Sequence, residues 1–224
     1  MKPTNFDNRL HIGNIIRNAL VFNFKRWQRN DMNTDSLLET VARLFALLRE
    51  RRTEYVLVGG IALLQYVEGR NTEDIDLIMT LPSLDNLPEI QIVDRNPDFL
   101  RGKFGGLQID ILLTTNPLFD LIRHQHITIR RFVEQEIPCA TVEGLLLLKM
   151  YALPSLYRQG NFARVSLYET DIATLIHDYK PQLEPLFNEL SHYLSDTDLA
   201  AIKEIVAEIQ QRIERFQKSS GEIQ

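Results

Sequence analysis

Residues 57–79, LVGGIALLQYVEGRNTEDIDLIM, decide how this chain is read. An apolar run ends at Val58, Gly59 and Gly60 follow, and Asp74 and Asp76 then sit inside a second apolar run. A strand interior is a poor place for carboxylates unless something compensates their burial. Asp74 and Asp76 are two apart, so on a strand both point to one face, while Ile75 and Leu77 point to the other, toward a core. Two carboxylates at that spacing lie ~6–7 Å apart at Cα. They repel by roughly 2–3 kcal/mol at an effective dielectric of ~20. A hard divalent cation, Mg²⁺ or Mn²⁺, reverses that sign, because it prefers carboxylate oxygens together with phosphate oxygens.

Asp110, in LQIDILL, is a third carboxylate flanked by core-directed Ile109 and Ile111. If its strand pairs beside the first, Asp110 joins the same face. Three convergent carboxylates can hold one or two metal ions, and one of them can accept a proton from an attacking hydroxyl. Gly59 and Gly60 permit tight backbone geometry and close approach of a ligand at a helix start, where amides bind phosphate. A lone Gly-Gly is usually a turn, and a lone Asp-x-Asp is usually an exposed edge or a cap. In this order and spacing, the two suggest a triphosphate on the amides and a metal on the aspartates.

The expected architecture is α+β. A helical extension over residues 1–35 precedes a small mixed-sheet α/β domain over 36–140, and a helical domain over 141–224 follows. The first helix is expected from about Ile12 to Arg29. Its aromatic and basic cluster of Phe22, Phe24, Lys25, Arg26, Trp27 and Arg29 reads as an amphipathic face before it reads as a nucleic-acid grip. A second helix follows Thr34 or Asp35, with Leu37, Leu38, Val41, Leu44, Leu47 and Leu48 at helical spacing. Next come a short strand at YVLV, a helix over IALLQYVEG stopped by Gly69, and a strand at EDIDLIMT. PSLDNLPEIQIVDRNPD is expected as loop, and FLRGKFGGLQIDILLT as a hairpin around Gly102–Gly106. Residues 117–141 are expected to hold a short helix and further strands. After Thr141, four helical patterns run without an intervening strand.

Composition sets outer bounds. The 224 residues are 44% hydrophobic and 25% charged, which suits a globular protein with a sizeable core. A formal net charge of −5 gives no bulk attraction to nucleic acid. One cysteine, Cys139, rules out an intrachain disulfide framework, and a cytoplasmic location is the expectation. The apolar runs are too short to span a bilayer, and the N-terminus lacks an apolar signal core.

VGGIALLQYVEGRNTEDIDLIM resembles the signature of the nucleotidyltransferase superfamily, the polymerase-beta-like fold, with QIDIL as the later acidic element. The resemblance spans roughly residues 55 to 113. It implies metal-dependent transfer of a nucleoside monophosphate from an NTP to an acceptor hydroxyl. Asp74, Asp76 and Asp110 would be catalytic and metal-binding, and Gly59 and Gly60 would hold phosphate. TVEGLLLLKMYALPSLYRQGNFARVSLYETDIATLI is similar to the corresponding region of AbiEii-type nucleotidyltransferases, often toxins of toxin–antitoxin pairs, with some relatives modifying tRNA. That resemblance implies phosphate contact by Lys149, a role for Asp171 in the nucleotide site, and Arg158 or Arg164 at the basic position between them. It departs from the pattern in the length of the stretch from Lys149 to Asp171. It also implies tRNA or a protein as acceptor, and an antitoxin as partner.

Plainer readings stand beside these. Lys149 can snorkel from a buried helix, and Asp171 can be a carboxylate favoured by a helix dipole. His124 and His126 lack a third ligand for zinc. Cys139 reads as inert packing, and Arg70 as a loop arginine or a phosphate contact. In the last helix Leu199, Ile202, Val206, Ile209, Ile213 and Phe216 form a heptad seam. Packing on the chain's own helices is its default use, with a homodimer or an antitoxin contact as the alternative. A small-molecule nucleotidyltransferase of the antibiotic-modifying kind, and a non-catalytic nucleotide-binding module, are the rival functions.

Overall fold

The computed structural model describes residues 10–22, 34–68 and 71–221. The expected Gly69 stop, Arg70 and the Phe24–Arg29 cluster lie outside them. The chain divides into two compact units, residues 1–140 and 141–224. Among the described residues no helix is long and apolar enough to cross a membrane.

The first unit opens with α1 (Ile12–Phe22), packed against α2 (Thr34–Glu50). In α2, Leu37, Val41, Leu44 and Leu48 recur every three or four residues and are all buried. The strand β1 (Tyr55–Val58) leads into α3 (Gly59–Leu63) and then β2 (Asp74–Met79). A short helix α4 (Leu81–Asp85) and an edge strand β3 (Gln91–Arg95) follow, then β4 (Phe99–Phe104) and β5 (Leu107–Leu113). The unit ends with α5 (Pro117–Gln125), β6 (Ile127–Arg131) and β7 (Glu136–Ala140).

These strands form a seven-stranded mixed sheet in the order β3-β4-β5-β2-β1-β7-β6. The strand β2 sits at its centre, antiparallel to β1 and parallel to β5. Its Ile75 and Leu77 are fully buried, as are Ile109 and Ile111 of β5. This pattern fixes the register, since a one-residue slip would turn the aspartates into the apolar core and the isoleucines onto the acidic face.

Several local expectations change. Helix α3 is five residues long rather than running to Gly69, and after it Gln65 and Tyr66 donate to carbonyls three residues back. Such tight i→i+3 bonds end the α-helical ladder. The expected loop after β2 contains α4 and β3. Thr80 caps α4, its Oγ1 accepting from the Ser83 amide at 3.1 Å, with Pro82 in the first turn. Strand β3 is exposed at every residue, so no burial alternation announces it, and its backbone pairing with β4 defines it. The hairpin turn is narrower than expected. Gly102 lies within β4, and only Gly105 and Gly106, both at positive φ, join Phe104 to Leu107.

The second unit is all helical: α6 (Val142–Arg158), α7 (Phe162–Tyr179), α8 (Leu183–Leu190) and α9 (Asp196–Gly221). Thr141 caps α6, which continues through the buried Pro154. Gly160 at φ +65 makes the turn to α7, capped by Asn161. In α9, Ile202, Val206 and Ile209 of the expected seam are buried, and α9 packs on α6, α7 and α8.

Candidate metal centre

The parallel pairing of β2 with β5 places Asp76 directly opposite Asp110 and Asp74 opposite Gln108. Residues in register on paired strands share a face, so all three aspartates converge. One carboxylate oxygen from each of Asp74, Asp76 and Asp110 lies within 4.8 Å of the others. Like charges at that distance repel by on the order of 3 kcal/mol per pair at an effective dielectric of ~20. An all-oxygen, all-anionic donor set of this size suits a hard divalent cation. The cluster can therefore coordinate a divalent metal ion.

Glycine is required beside it. β1 ends with Val58 opposite Asp76, and the chain turns at Gly59 with φ +64. A Cβ there would lie 1.9 Å from Oδ2 of Asp76, and one on Gly60 would lie 2.6 Å from Oγ1 of Thr72. The diglycine thus brings backbone against the acidic face where no side chain fits.

Three polar side chains brace the carboxylates. Thr72 Oγ1 donates to Asp74 Oδ1 at 2.9 Å. Gln108 Nε2 donates to Asp110 Oδ1 at 3.2 Å and to Asp74 Oδ2 at 3.4 Å, bridging the two. Arg101, opposite Asp110 on β4, forks onto it, with Nε donating to Oδ1 at 2.9 Å and an Nη to Oδ2 at 3.0 Å. Such two-point pairing is the strong form of an arginine–carboxylate contact. It holds the Arg101 guanidinium above its ordinary pKa, Asp110 being the main cause. Asp110 is nearly fully buried, whereas Arg101 remains 37% exposed.

Sequence reasoning found the three aspartates and the diglycine but missed Gln108 and Arg101. Gln108 carried a signal, since it precedes Asp110 by two and so shares its face. Arg101 carried none, because only the β4–β5 register places it. Lys149 and Asp171 are brought together within the helical unit. The Lys149 Nζ donates to Asp171 Oδ2 at 2.7 Å, with both side chains about 5% exposed, and it lies 4.4 Å from the Tyr168 ring. Their link to phosphate rests on sequence resemblance alone. Arg158 pairs with Asp198. His124 lies in α5 and His126 caps its end. Burial pushes the Cys139 thiol up to about 12, which leaves it unreactive.

No family model matches the sequence, and no curated protein matches it. Solved structures with partial similarity include an antigenic nucleotidyltransferase-like protein from Paracoccidioides brasiliensis. It is 19% identical, with 74% of this chain and 90% of that one covered and a TM-score of 0.44. Another is ANT(2″)-Ia in complex with adenylyl-2″-tobramycin, 12% identical, with 77% of this chain and 96% of that one covered and a TM-score of 0.44.

Proposed function

We propose that this chain is a Mg²⁺-dependent nucleotidyltransferase that moves a nucleoside monophosphate from an NTP to an acceptor hydroxyl. The observation that carries the reading is the meeting of Asp74, Asp76 and Asp110 on one sheet face, against a positive-φ glycine turn. The motif order in the sequence, glycines before Asp-x-Asp and a later strand aspartate, supports the same reading.

Asp74 and Asp76 would hold the cation, and Asp110 would either bind it with them or take the proton from the acceptor hydroxyl. When bound, a divalent cation supplies positive charge against the phosphate oxygens. The backbone at Gly59 and Gly60 receives phosphate. Helix α3 is too short for a strong macrodipole, so individual amides rather than a long helix would do this. The acceptor oxygen bonds to the α-phosphorus, and the bond from that phosphorus to the bridging oxygen breaks, releasing pyrophosphate.

The acceptor we favour is tRNA or a protein, in a toxin-like setting with a cognate antitoxin, on the sequence resemblance of residues 141–176. Labelled NTPs incubated with total tRNA, with protein, or with hydroxylated small molecules separate the readings. Label on small molecules alone would favour the antibiotic-type enzyme. NTP binding without pyrophosphate release for any acceptor would leave a non-catalytic module. Asp76→Asn is expected to abolish transfer with the fold intact, and undiminished turnover in that variant contradicts the metal assignment.

A further inference from the structure

Four charged residues form a single row across the sheet. Asp94 on β3 pairs in register with Arg101 on β4, Arg101 with Asp110 on β5, and Asp110 with Asp76 on β2. Arg101 therefore stands between two carboxylates, and its fork occupies both oxygens of one of them, Asp110. Gln108 also donates to Asp110 Oδ1. A cation shared among the three aspartates would draw on one of these same oxygens. Arg101 is more than a third exposed and so has room to move, while Asp110 is fixed and buried. Asp94 offers an exposed carboxylate on the other side.

From this arrangement we propose that Arg101 is the internal counter-cation of the acidic face, holding Asp110 until a divalent cation takes its place. The inference rests on the triad's being a metal site, and makes Arg101 a positioning residue. The guanidinium offsets the repulsion among the aspartates and competes with the metal for Asp110. A metal drawing on Asp110 together with Asp74 and Asp76 shares its oxygens with the fork and repels the guanidinium, which favours opening of the fork toward Asp94 and solvent. Each cation lowers the affinity of the other for Asp110, as linkage requires.

Mn²⁺ binding to the full-length protein, measured by calorimetry at mildly alkaline pH, tests this. Arg101→Met is expected to bind Mn²⁺ at least about fivefold tighter than wild type. Arg101→Lys, which keeps the charge but cannot fork, should fall between them. A merely structural arginine would lower thermal stability and leave Mn²⁺ affinity unmoved. Equal or weaker binding by Arg101→Met, with wild type binding normally, overturns the counter-cation role and leaves the metal site standing. Absence of Mn²⁺ binding in wild type and variant alike overturns both. The second measurement needs only wild-type protein. Modification of Arg101 by phenylglyoxal, followed by mass spectrometry, should speed up several-fold with saturating Mn²⁺, and an unchanged or slower rate sinks the proposal.

Discussion

The backbone of Gly59 and the carboxylate of Asp76 leave no room between them: a Cβ at position 59 would lie 1.9 Å from Asp76 Oδ2. Gly59→Ala must therefore push the carboxylate aside, and it must also hold an L side chain at φ +64. The conformation alone costs ~1–2 kcal/mol. We expect a loss of at least about 2 kcal/mol in urea denaturation, together with weakened Mn²⁺ binding. A variant as stable as wild type with unchanged Mn²⁺ affinity would show that the turn is not coupled to the acidic face.

Adding a divalent cation should raise the melting temperature, since it binds the assembled carboxylates and not the unfolded chain. At a free concentration a hundredfold above its dissociation constant, the gain is about 2.7 kcal/mol. Chelation should reverse it. Asp74→Asn should lose the shift while remaining about as stable as metal-free wild type, because removing one of three like charges relieves repulsion. A thermal shift assay with and without Mn²⁺ checks this, and an undiminished shift in Asp74→Asn would move the ion elsewhere.

The pair Lys149–Asp171 is a separate matter, inside the helical unit. Both side chains are about 5% exposed and 2.7 Å apart. Removing one partner breaks a buried ion pair, at a cost of up to roughly 3–5 kcal/mol. Lys149→Met should therefore unfold at clearly lower urea, and the double variant Lys149→Met/Asp171→Leu should recover much of that loss. A Lys149→Met protein of wild-type stability would favour a role for this lysine other than core pairing.

Acid should loosen the exposed Glu89–Arg51 pair. Its pairing with Arg51 holds its carboxyl at about 2, below the ordinary value of 4.5. As pH falls, the unfolded chain takes up this proton before the folded one does. The contribution is fully present above about pH 4.5 and is lost as pH falls toward about 2. Glu89→Gln should flatten that part of the curve of urea midpoint against pH. A variant with the wild-type slope throughout would show that other carboxylates carry the acid transition.

Much of this protein was legible in one dimension. Period-two alternation around Asp74, Asp76 and Asp110 marked two strands with a core face and an acidic face. Heptad spacing in the last helix marked a seam of which Ile202, Val206 and Ile209 are buried, and the loss of strand patterns after Thr141 marked the change to an all-helical unit. Each of these signals is local, because side-chain period and backbone geometry are coupled within a few residues. The short helix α4 and strand β3 have no such local signal, because β3 is exposed along its length and its pairing comes from a neighbour. The tertiary structure alone decided that β2 and β5 are parallel with Asp76 opposite Asp110, and that Arg101 falls beside the same carboxylate. Strand register and order arise from contacts between segments far apart in the chain, so no short window of sequence holds them.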